Sequence, residues 1–148
     1  MRMDFDEYCM EVAETVAKRS TCLRRQVGAV IVVGKHIVAT GYNGAAAELD
    51  HCDEKGECRR DVLGIASGTD LMNCEAVHSE ANAIIQCAVH ATSPAGGTLY
   101  CTHAPCCMCA KMIVNAGIKR VMYRNTYPNL DEVKNIFTKA GVELQHMP

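Results

Sequence analysis

Apolar residues recur along the chain with two spacings. Between 4 and 19 they return every three or four positions, which is typical of one face of a helix. Similar spacing, together with proline and glycine end signals, predicts further helices at 75–91, 105–117 and 129–141. Short runs rich in β-branched residues predict strands at 27–33, 36–42, 97–102 and 118–124, with a fifth candidate strand at 142–147.

The order of these elements predicts the fold class. A hairpin followed by alternating helices and strands is typical of an α/β sheet that carries helices on its faces. The chain of 148 residues is most simply one domain, spanning residues 1–148. Residues 44–75 interrupt the order, because they are rich in Gly, Asp, Glu and Cys and show no clear period. We predict a long irregular insertion there, and such loops are usually functional or held in place by something.

The composition and charge of the chain argue against several classes of function. The net charge is −2, which argues against binding of a nucleic acid polymer but leaves room for one small phosphate held by one or two arginines. The N-terminus is too charged for a secretion signal, and no apolar run reaches the roughly 18 residues of a membrane span. We therefore expect a cytoplasmic protein with no membrane partner. Ten cysteines in a reducing compartment point to metal binding or catalysis before disulfides.

Two of the cysteines form a C-x-x-C pair at a predicted helix N-terminus. The free N–H groups and the helix dipole there favour thiolates at Cys106 and Cys109, and zinc requires thiolates. A third ligand is expected from His78, at the start of another helix that begins at the same edge of the sheet. Three protein ligands leave one position for water, which is the catalytic type of zinc site.

Glu80 follows the histidine by two residues and points differently around its helix. We expect this carboxylate to take a proton from the activated water and return it to a substrate. Alone, the C-x-x-C pair could be a redox pair, and the His-x-Glu motif could be a helix cap. Together they form H-x-E…P-C-x-x-C, the signature of zinc nucleobase deaminases.

Several segments carry a resemblance to a known family. They are "STCLRRQVGAVIV", "GYNG", "HSEANAIIQCA" and "TLYCTHAPCCMCAKMIVNAGIKRVMY", with the tyrosine at 127. The chain resembles the cytidine deaminase superfamily and, within it, the deoxycytidylate (dCMP) deaminases. The resemblance implies a three-layer α/β/α fold with a mixed five-stranded sheet. It also implies zinc-dependent hydrolytic deamination of dCMP to dUMP and ammonia, which supplies a precursor for thymidylate.

Two residues depart from the family pattern. Ser79 stands where the family usually has alanine in H-A-E, and we expect this change to be tolerated. Family members usually have no cysteine at position 107. We interpret Cys107, and likewise Cys101 in its strand, as small buried hydrophobes.

The resemblance also implies substrate contacts. It implies Ser20, Arg24, Tyr123 and Arg124 at the phosphate and base, and Asn43 as a hydrogen-bond contact to the sugar and base. Asn43 could instead be a turn asparagine that supports a left-handed backbone, and surface arginines are usually only solvated. Asn82 is expected to form hydrogen bonds within the fold or to lie at an interface.

A second metal site and a regulatory site are further implications. Some dCMP deaminases carry a structural zinc near the insertion, and we expect its ligands here to be Cys22, Cys52, Cys58 and Cys74. The other interpretation is that these four are scattered buried thiols. In the subfamily the segment matching Gly41, Tyr42, Asn43 and Gly44 belongs to an effector site, where dCTP with magnesium activates and dTTP inhibits. The subfamily forms homohexamers.

Other functions stay open at this point. A related deaminase could act on cytidine, guanine or tRNA adenosine, and an enzyme that also accepts dCTP is compatible with the motifs. A zinc-stabilised binding module without activity is a second class, against which an open fourth position and Glu80 argue. A thiol oxidoreductase using Cys106 and Cys109 is a third, and it would need neither His78 nor Glu80.

Overall fold

The computed structural model describes residues Met1–Pro148. Seven strands are present: β1 Gly28–Val33, β2 His36–Tyr42, β3 Gly44–Ala45, β4 Ala76–Val77, β5 Thr98–His103, β6 Arg120–Asn125 and β7 Glu143–His146. Six helices are present: α1 Phe5–Ala17, α2 Cys52–Lys55, α3 Arg59–Val62, α4 Ser79–Val89, α5 Cys107–Asn115 and α6 Leu130–Ala140. A short 3₁₀ turn covers Leu71–Asn73. None of the helices combines the length and apolar character needed to cross a membrane.

Five strands form one mixed sheet in the order β2-β1-β5-β6-β7. Strand β1 runs antiparallel to both β2 and β5, whereas β5, β6 and β7 are mutually parallel. The parallel connections run through α5 and α6, as crossover connections between parallel strands usually do. The fifth strand predicted near the C-terminus is confirmed as β7. The hairpin of β1 and β2 turns at Gly34 and Lys35, which both have positive φ angles of 56° and 66°.

Helices cover both faces of the sheet, because alternate strand residues point to opposite sides. On one face α1 buries Met10 and Ala13 against Val30 and Tyr100. The larger core lies on the other face, where the helices are α4, α5 and α6. Its buried members are Ala29, Ile31, Ala39, Ala83, Cys87, Leu99, Cys101, Ala110, Ile113, Ile118, Val121, Val133, Phe137 and Val142. Fully burying one large side chain of such a core contributes about 1.5–3 kcal/mol. The three-layer architecture expected from the sequence is thus confirmed.

Close packing of β2 on α4 fixes where α4 begins. A Cβ added at Gly41 would lie 2.3 Å from the carbonyl oxygen of Ser79 and 2.5 Å from the amide nitrogen of Ala83. Only glycine allows this approach without displacement of the helix. Asn82 ties the same pair of elements, because its Nδ2 donates to the carbonyl oxygens of Tyr42 at 2.8 Å and Val77 at 3.2 Å. The expected internal hydrogen-bonding role of Asn82 is therefore confirmed.

The predicted helix at 75–91 began too early. Ala76 and Val77 pair with Gly44 and Ala45 as the two-stranded sheet of β4 and β3, and α4 begins only at Ser79. The pairing partner lies more than thirty residues away in sequence, so local apolar spacing could not reveal it.

The 44–75 insertion contains more regular structure than the sequence predicted. It includes the one-turn helices α2 and α3 besides the 3₁₀ turn. Hydrogen bonds attach it to the segment before β1: Asp53 N donates to the carbonyl of Thr21 at 3.2 Å, and the Thr21 hydroxyl contacts His51 Nδ1 at 2.9 Å. His36 and His90 are exposed, as expected for surface residues.

Candidate metal centre and adjoining cleft

Two helix N-termini meet at one edge of the sheet, and a potential metal ligand occupies the N-cap position of each. His78 is the N-cap residue of α4 and Cys106 that of α5. His78 Nδ1 lies 3.5 Å from the sulfur of Cys106 and 3.5 Å from the sulfur of Cys109. In all of the chain, these residues are the one group of three or more potential metal ligands whose ligand atoms lie within 4.8 Å of one another.

The geometry of this group fits zinc. Sulfur and nitrogen ligands of one tetrahedral zinc, at about 2.3 Å and about 2.0 Å from the ion, lie about 3.5 Å from each other. One histidine and two cysteines are a donor set that zinc accepts, and three protein ligands leave a fourth position for water or substrate. The structure therefore brings together the three ligands predicted from the sequence.

Hydrogen bonds within the group favour a thiolate. The pKa of Cys106 is lowered to about 4, chiefly by a hydrogen bond from Cys109 and also by one from His78. Cys109 donates that hydrogen bond and is buried, and both effects raise the pKa of its thiol. The pKa of His78 is raised to about 10 by its hydrogen bonds with Cys106 and Cys74. Metal binding would release the protons that these groups share.

Glu80 lies beside the cluster without belonging to it. It is 4% exposed, and its Oε1 accepts hydrogen bonds from the hydroxyl of Ser79 and, at 3.4 Å, from the thiol of Cys101. Burial and then the charge of Glu80 raise the pKa of Cys101, so that this thiol stays protonated as a donor. Cys101 was predicted as a small buried hydrophobe. It is buried in the core, but it also orients the carboxylate.

Cys107 follows the first cysteine of the pair and differs from it in surroundings. It begins α5, is half-buried and packs against the edge of the main core. It is not a member of the cluster. The expectation that Cys107 packs as an apolar side chain agrees with this placement.

A cleft opens next to the cluster, with an empty space of about 560 Å³ that includes its opening to solvent. Of the predicted site residues, its walls contain Cys22, Arg24, Asn43, Cys74, His78, Glu80 and Cys106. Four residues that we had not assigned to the site also line it: Arg25, Arg60, His103 and Tyr127. The guanidinium of Arg25 lies 4.9 Å from the centre of the Tyr127 ring, which places a cation–π pair at the cleft. Burial raises the pKa of Tyr127, and the nearby charges of Arg60 and Arg25 oppose this effect.

Asn43 is fixed by the segment before β1. Its Nδ2 donates to the carbonyl of Arg25 at 2.8 Å, and its Oδ1 accepts from the amide of Val27 at 2.9 Å and from the hydroxyl of Ser20. The left-handed backbone considered for Asn43 is wrong, because its φ angle is not positive. Ser20 is buried and does not line the cleft, so it supports Asn43 from behind.

Two expected substrate residues lie elsewhere in this chain. Arg124 points to α1, where it forms ion pairs with Glu7 at 2.8 Å and Glu14 at 2.6 Å. Tyr123 is buried in β6, with its ring centre 5.1 Å from that of His146. Neither lines the cleft of its own chain, and their expected contact with the substrate stays a prediction. Their sequence position at the end of a strand did not reveal the face to which each side chain points.

The four cysteines near the insertion do not form a second cluster of the same kind. Cys52 and Cys58 are buried, whereas Cys22 and Cys74 are half-buried at the wall of the cleft. The pKa of Cys52 is raised chiefly by burial and further by Cys22, Cys58 and Cys74, whereas Lys55 opposes this effect. A hydrogen bond with His78 lowers the pKa of Cys74.

Comparison with known proteins agrees with this geometry. Residues 3–125 match the family described as the cytidine and deoxycytidylate deaminase zinc-binding region. The chain therefore belongs to the cytidine and deoxycytidylate deaminase family, and the resemblance drawn from its motifs is confirmed.

Individual relatives point to one branch of that family. A deoxycytidylate deaminase of Mycobacterium phage D29 is 40% identical over 127 residues, which are 82% of this chain and 95% of the phage protein. The deoxycytidylate deaminase of Schizosaccharomyces pombe is 36% identical over 99% of this chain, but the chain spans only 45% of the yeast protein. The crystal structure of the dCMP deaminase from cyanophage S-TIM5 with dCMP and dUMP has a TM-score of 0.82 and 33% identity, with 99% of each chain covered. These two relatives and this crystal structure all carry the name deoxycytidylate (dCMP) deaminase.

Proposed function

We propose that this chain is a zinc-dependent dCMP deaminase, which converts dCMP and water to dUMP and ammonia. The observation that carries the proposal is the cluster of His78, Cys106 and Cys109 beside the buried carboxylate of Glu80, with His78, Cys106 and Glu80 lining a cleft that also contains arginines. The similarity to a dCMP deaminase crystallised with dCMP and dUMP supports the choice of substrate.

The metal ligands would be His78, Cys106 and Cys109. When bound, a zinc ion supplies the Lewis acidity that activates a water molecule near neutral pH. His78, Cys106 and Glu80 all line the cleft, so a cytosine ring bound there could reach both the metal site and the carboxylate.

Glu80 would move the protons of the reaction. Its carboxylate accepts the proton of the attacking water, delivers it to N3 of the cytosine ring and then assists protonation of the leaving amino group at C4. Hydrogen bonds from Ser79 and Cys101 hold the carboxylate in one orientation during these transfers. The net reaction replaces the amino group with an oxygen and releases ammonia.

The remaining walls would hold the nucleotide. Asn43 is the expected contact to the sugar and base, supported from behind by Ser20. The arginines at positions 24, 25 and 60 give this part of the cleft a positive charge that suits a 5′-phosphate. We also propose that the product dUMP serves as a precursor of thymidylate and that the protein is cytoplasmic. All ten cysteines are free thiols, as suits a reducing compartment.

Regulation and assembly extend the proposal. The segment Gly41–Gly44 borders a second surface groove, with Asn82 and Gln86 on its other side, which we propose for dCTP with magnesium as activator and dTTP as inhibitor. Exposed apolar pairs on two neighbouring helices, Ile85 with Val89 and Met108 with Met112, support self-association into the homohexamer expected for the subfamily.

A second, structural zinc is the third extension. Cys22, Cys58 and Cys74 each influence the pKa of Cys52, and a structural metal site need not exist before the ion binds its ligands.

Ammonia release measured beside zinc content tests the central proposal. We expect dCMP to release ammonia in protein that carries zinc and deoxycytidine to be a poorer substrate. Cytidine or dCTP as the preferred substrate would replace dCMP in the proposal. If none of these substrates released ammonia, a zinc-stabilised binding module would remain as the alternative. Thiol–disulfide exchange that survives loss of His78 would favour a thiol oxidoreductase.

A further inference from the structure

Arg60 differs from every other arginine of the chain. It lies on α3 and is only 6% exposed. Its Nε and Nη1 are buried without a hydrogen-bond partner. None of the five ion pairs of the chain includes it. Arg60 therefore brings a buried positive charge to the wall of the cleft with no ion pair or side-chain hydrogen bond to compensate it.

A buried guanidinium without a partner destabilises the folded protein unless an anion binds to it. A guanidinium stays protonated in proteins, so Arg60 cannot relieve its burial by losing the charge. Buried charges are normally paired, because removing an ion from water costs more than a single neutral contact returns. Unsatisfied buried donors in native structures usually indicate a missing water, ion or ligand.

The neighbouring arginines are already engaged. Arg24 donates from Nε to Asp61 at 2.5 Å and from Nη2 to the carbonyl of Ile65 at 2.5 Å, so it braces both ends of the segment that follows Arg60. Arg25 lies over the Tyr127 ring and donates to Ser67 at 3.3 Å. Arg24 and Arg25 each keep one buried Nη1 without a partner, whereas Arg60 has two such nitrogens and no side-chain hydrogen bond or ion pair at all, so most of its donors are free for a ligand.

We infer that Arg60 is the residue that binds the 5′-phosphate of the substrate and makes the cleft prefer a nucleoside monophosphate over a nucleoside. This inference rests on the proposed function and deepens it by assigning the selectivity to one side chain. A monoester phosphate carries about −1.5 to −2 charge near neutral pH and offers three acceptor oxygens, which match a cation with unused donors. Arg24 is then a positioning residue, which holds α3 so that Arg60 faces the cleft.

A matched pair of variants tests the assignment. Arg60→Gln removes the buried charge, whereas Arg59→Gln removes the exposed charge of the adjacent residue on the same helix turn. We expect Arg60→Gln to lower kcat/KM for dCMP by about tenfold to a hundredfold, mainly through KM, because charge-assisted hydrogen bonds are lost. Activity on deoxycytidine should stay within about twofold. Arg59→Gln should leave both substrates unchanged.

The same comparison distinguishes a structural role. If Arg60 instead balances charge at neighbouring thiolates or stabilises the insertion, Arg60→Gln will lower activity on dCMP and deoxycytidine equally, and the inference fails. Unchanged dCMP kinetics would also overturn it. Arg60→Lys keeps the charge if the glutamine variant does not fold, and it should show a smaller loss that is again confined to dCMP. Arg24→Ala should raise the KM for dCMP. Because Arg24 acts through Arg60, the double variant Arg24→Ala/Arg60→Gln should have the same KM for dCMP as Arg60→Gln alone.

Calorimetry separates this inference from the proposed function. We expect dUMP to bind the parent protein more tightly than deoxyuridine by about tenfold or more, and Arg60→Gln to abolish the difference. This measurement does not require turnover. If the parent released no ammonia but kept the Arg60-dependent preference for dUMP, the deaminase proposal would fail while the phosphate assignment held. If dUMP and deoxyuridine bound the parent equally, the phosphate assignment would fail alone.

Discussion

Neighbouring residues with similar chemistry have separate roles at this site. Cys106 faces His78, whereas Cys107 turns to the edge of the core. Glu80 approaches the metal ligands but makes its hydrogen bonds to Ser79 and Cys101 instead. Such differences depend on the direction in which a side chain leaves its helix, and they permit sharp tests with matched variants.

Glu80→Gln is expected to keep the fold and the zinc, because Glu80 is not a metal ligand. Its turnover should fall by about 10²–10⁴-fold, since an amide cannot carry protons between water and the base. Zinc content and kcat for dCMP, measured on the same preparation, check this. The control is Glu132→Gln on an exposed face of α6. Turnover close to that of the parent would refute the proposed role of Glu80.

Cys106→Ser is expected to lose the catalytic zinc and the activity, because removing one of three protein ligands weakens the site strongly. Cys107→Ser, one residue further on, should retain both, since Cys107 lies outside the cluster. Metal analysis after dialysis gives the readout. Equal zinc content in the two variants would contradict the ligand assignment.

At the scale of elements, the contact of β2 with α4 positions the site. Gly41 permits that contact, and the first turn of α4 carries both His78 and Glu80. The site therefore depends on a residue that touches neither metal nor substrate.

Gly41→Ala should displace α4, because the new Cβ would collide with backbone atoms of Ser79 and Ala83 rather than with a flexible side chain. We expect a loss of about 1–3 kcal/mol in unfolding free energy, together with reduced zinc affinity. Denaturant unfolding and zinc competition measure the two effects. Thr40→Ala, exposed on the same strand, is the control. An unchanged zinc affinity would mean that the packing does not position His78.

Hydrogen bonds of Asp6 attach α1 to the opposite face of the sheet. Asp6 accepts hydrogen bonds from Arg120 at 2.7 Å and Tyr100 at 2.5 Å, and its pKa lies below its ordinary value of 3.8, chiefly because of Arg120. Since the folded-state pKa is lowered, these hydrogen bonds contribute fully above the unfolded-state value and are lost as the pH falls through the folded-state pKa. Asp6→Asn should therefore cost about 1–2 kcal/mol near pH 7 and little near pH 2. Urea unfolding at several pH values checks this, and a loss that did not depend on pH would contradict it.

The sequence predicted the helices and strands whose contacts are local or periodic. The spacing of α1, the end signals of α5 and α6 and the β-branched runs of β1 and β2 are all properties of short stretches. Pairing of β3 with β4 and burial of Arg60 depend on contacts between distant segments of an insertion without periodicity. Motif order was enough to predict His78, Cys106 and Cys109 as one cluster, but not that Arg124 would pair with Glu7 and Glu14 on α1.

The whole molecule combines a regular three-layer domain with an insertion that forms one side of the cleft. The insertion carries Arg60 and is attached through Arg24, Thr21 and His51. In our proposal the metal ligands and Glu80 lie on helices that follow strands, whereas the phosphate-binding Arg60 lies on the insertion.

The proposed second zinc would connect the insertion to the rest of the domain. Metal analysis should give two zinc ions per chain, and Cys58→Ser should lower the number to one while the catalytic metal and its ligands persist. Cys107→Ser, which changes a thiol far from the insertion, should keep two. The variant insertion should also be cut faster by proteases. One zinc per chain in fully active parent protein would remove this site.

Placing metal ligands at helix N-caps has a consequence for the life of the protein in a cell. His78 and Cys106 each occupy the N-cap of a helix of the main core, so a bound metal would link the starts of two helices, and a chain without metal would lack that link. Helix ends that are poorly held fray first, and frayed segments are the ones that degradation machinery engages. A shortage of zinc would then reduce the number of molecules as well as the activity of each, and the supply of metal would set how long a newly made chain survives.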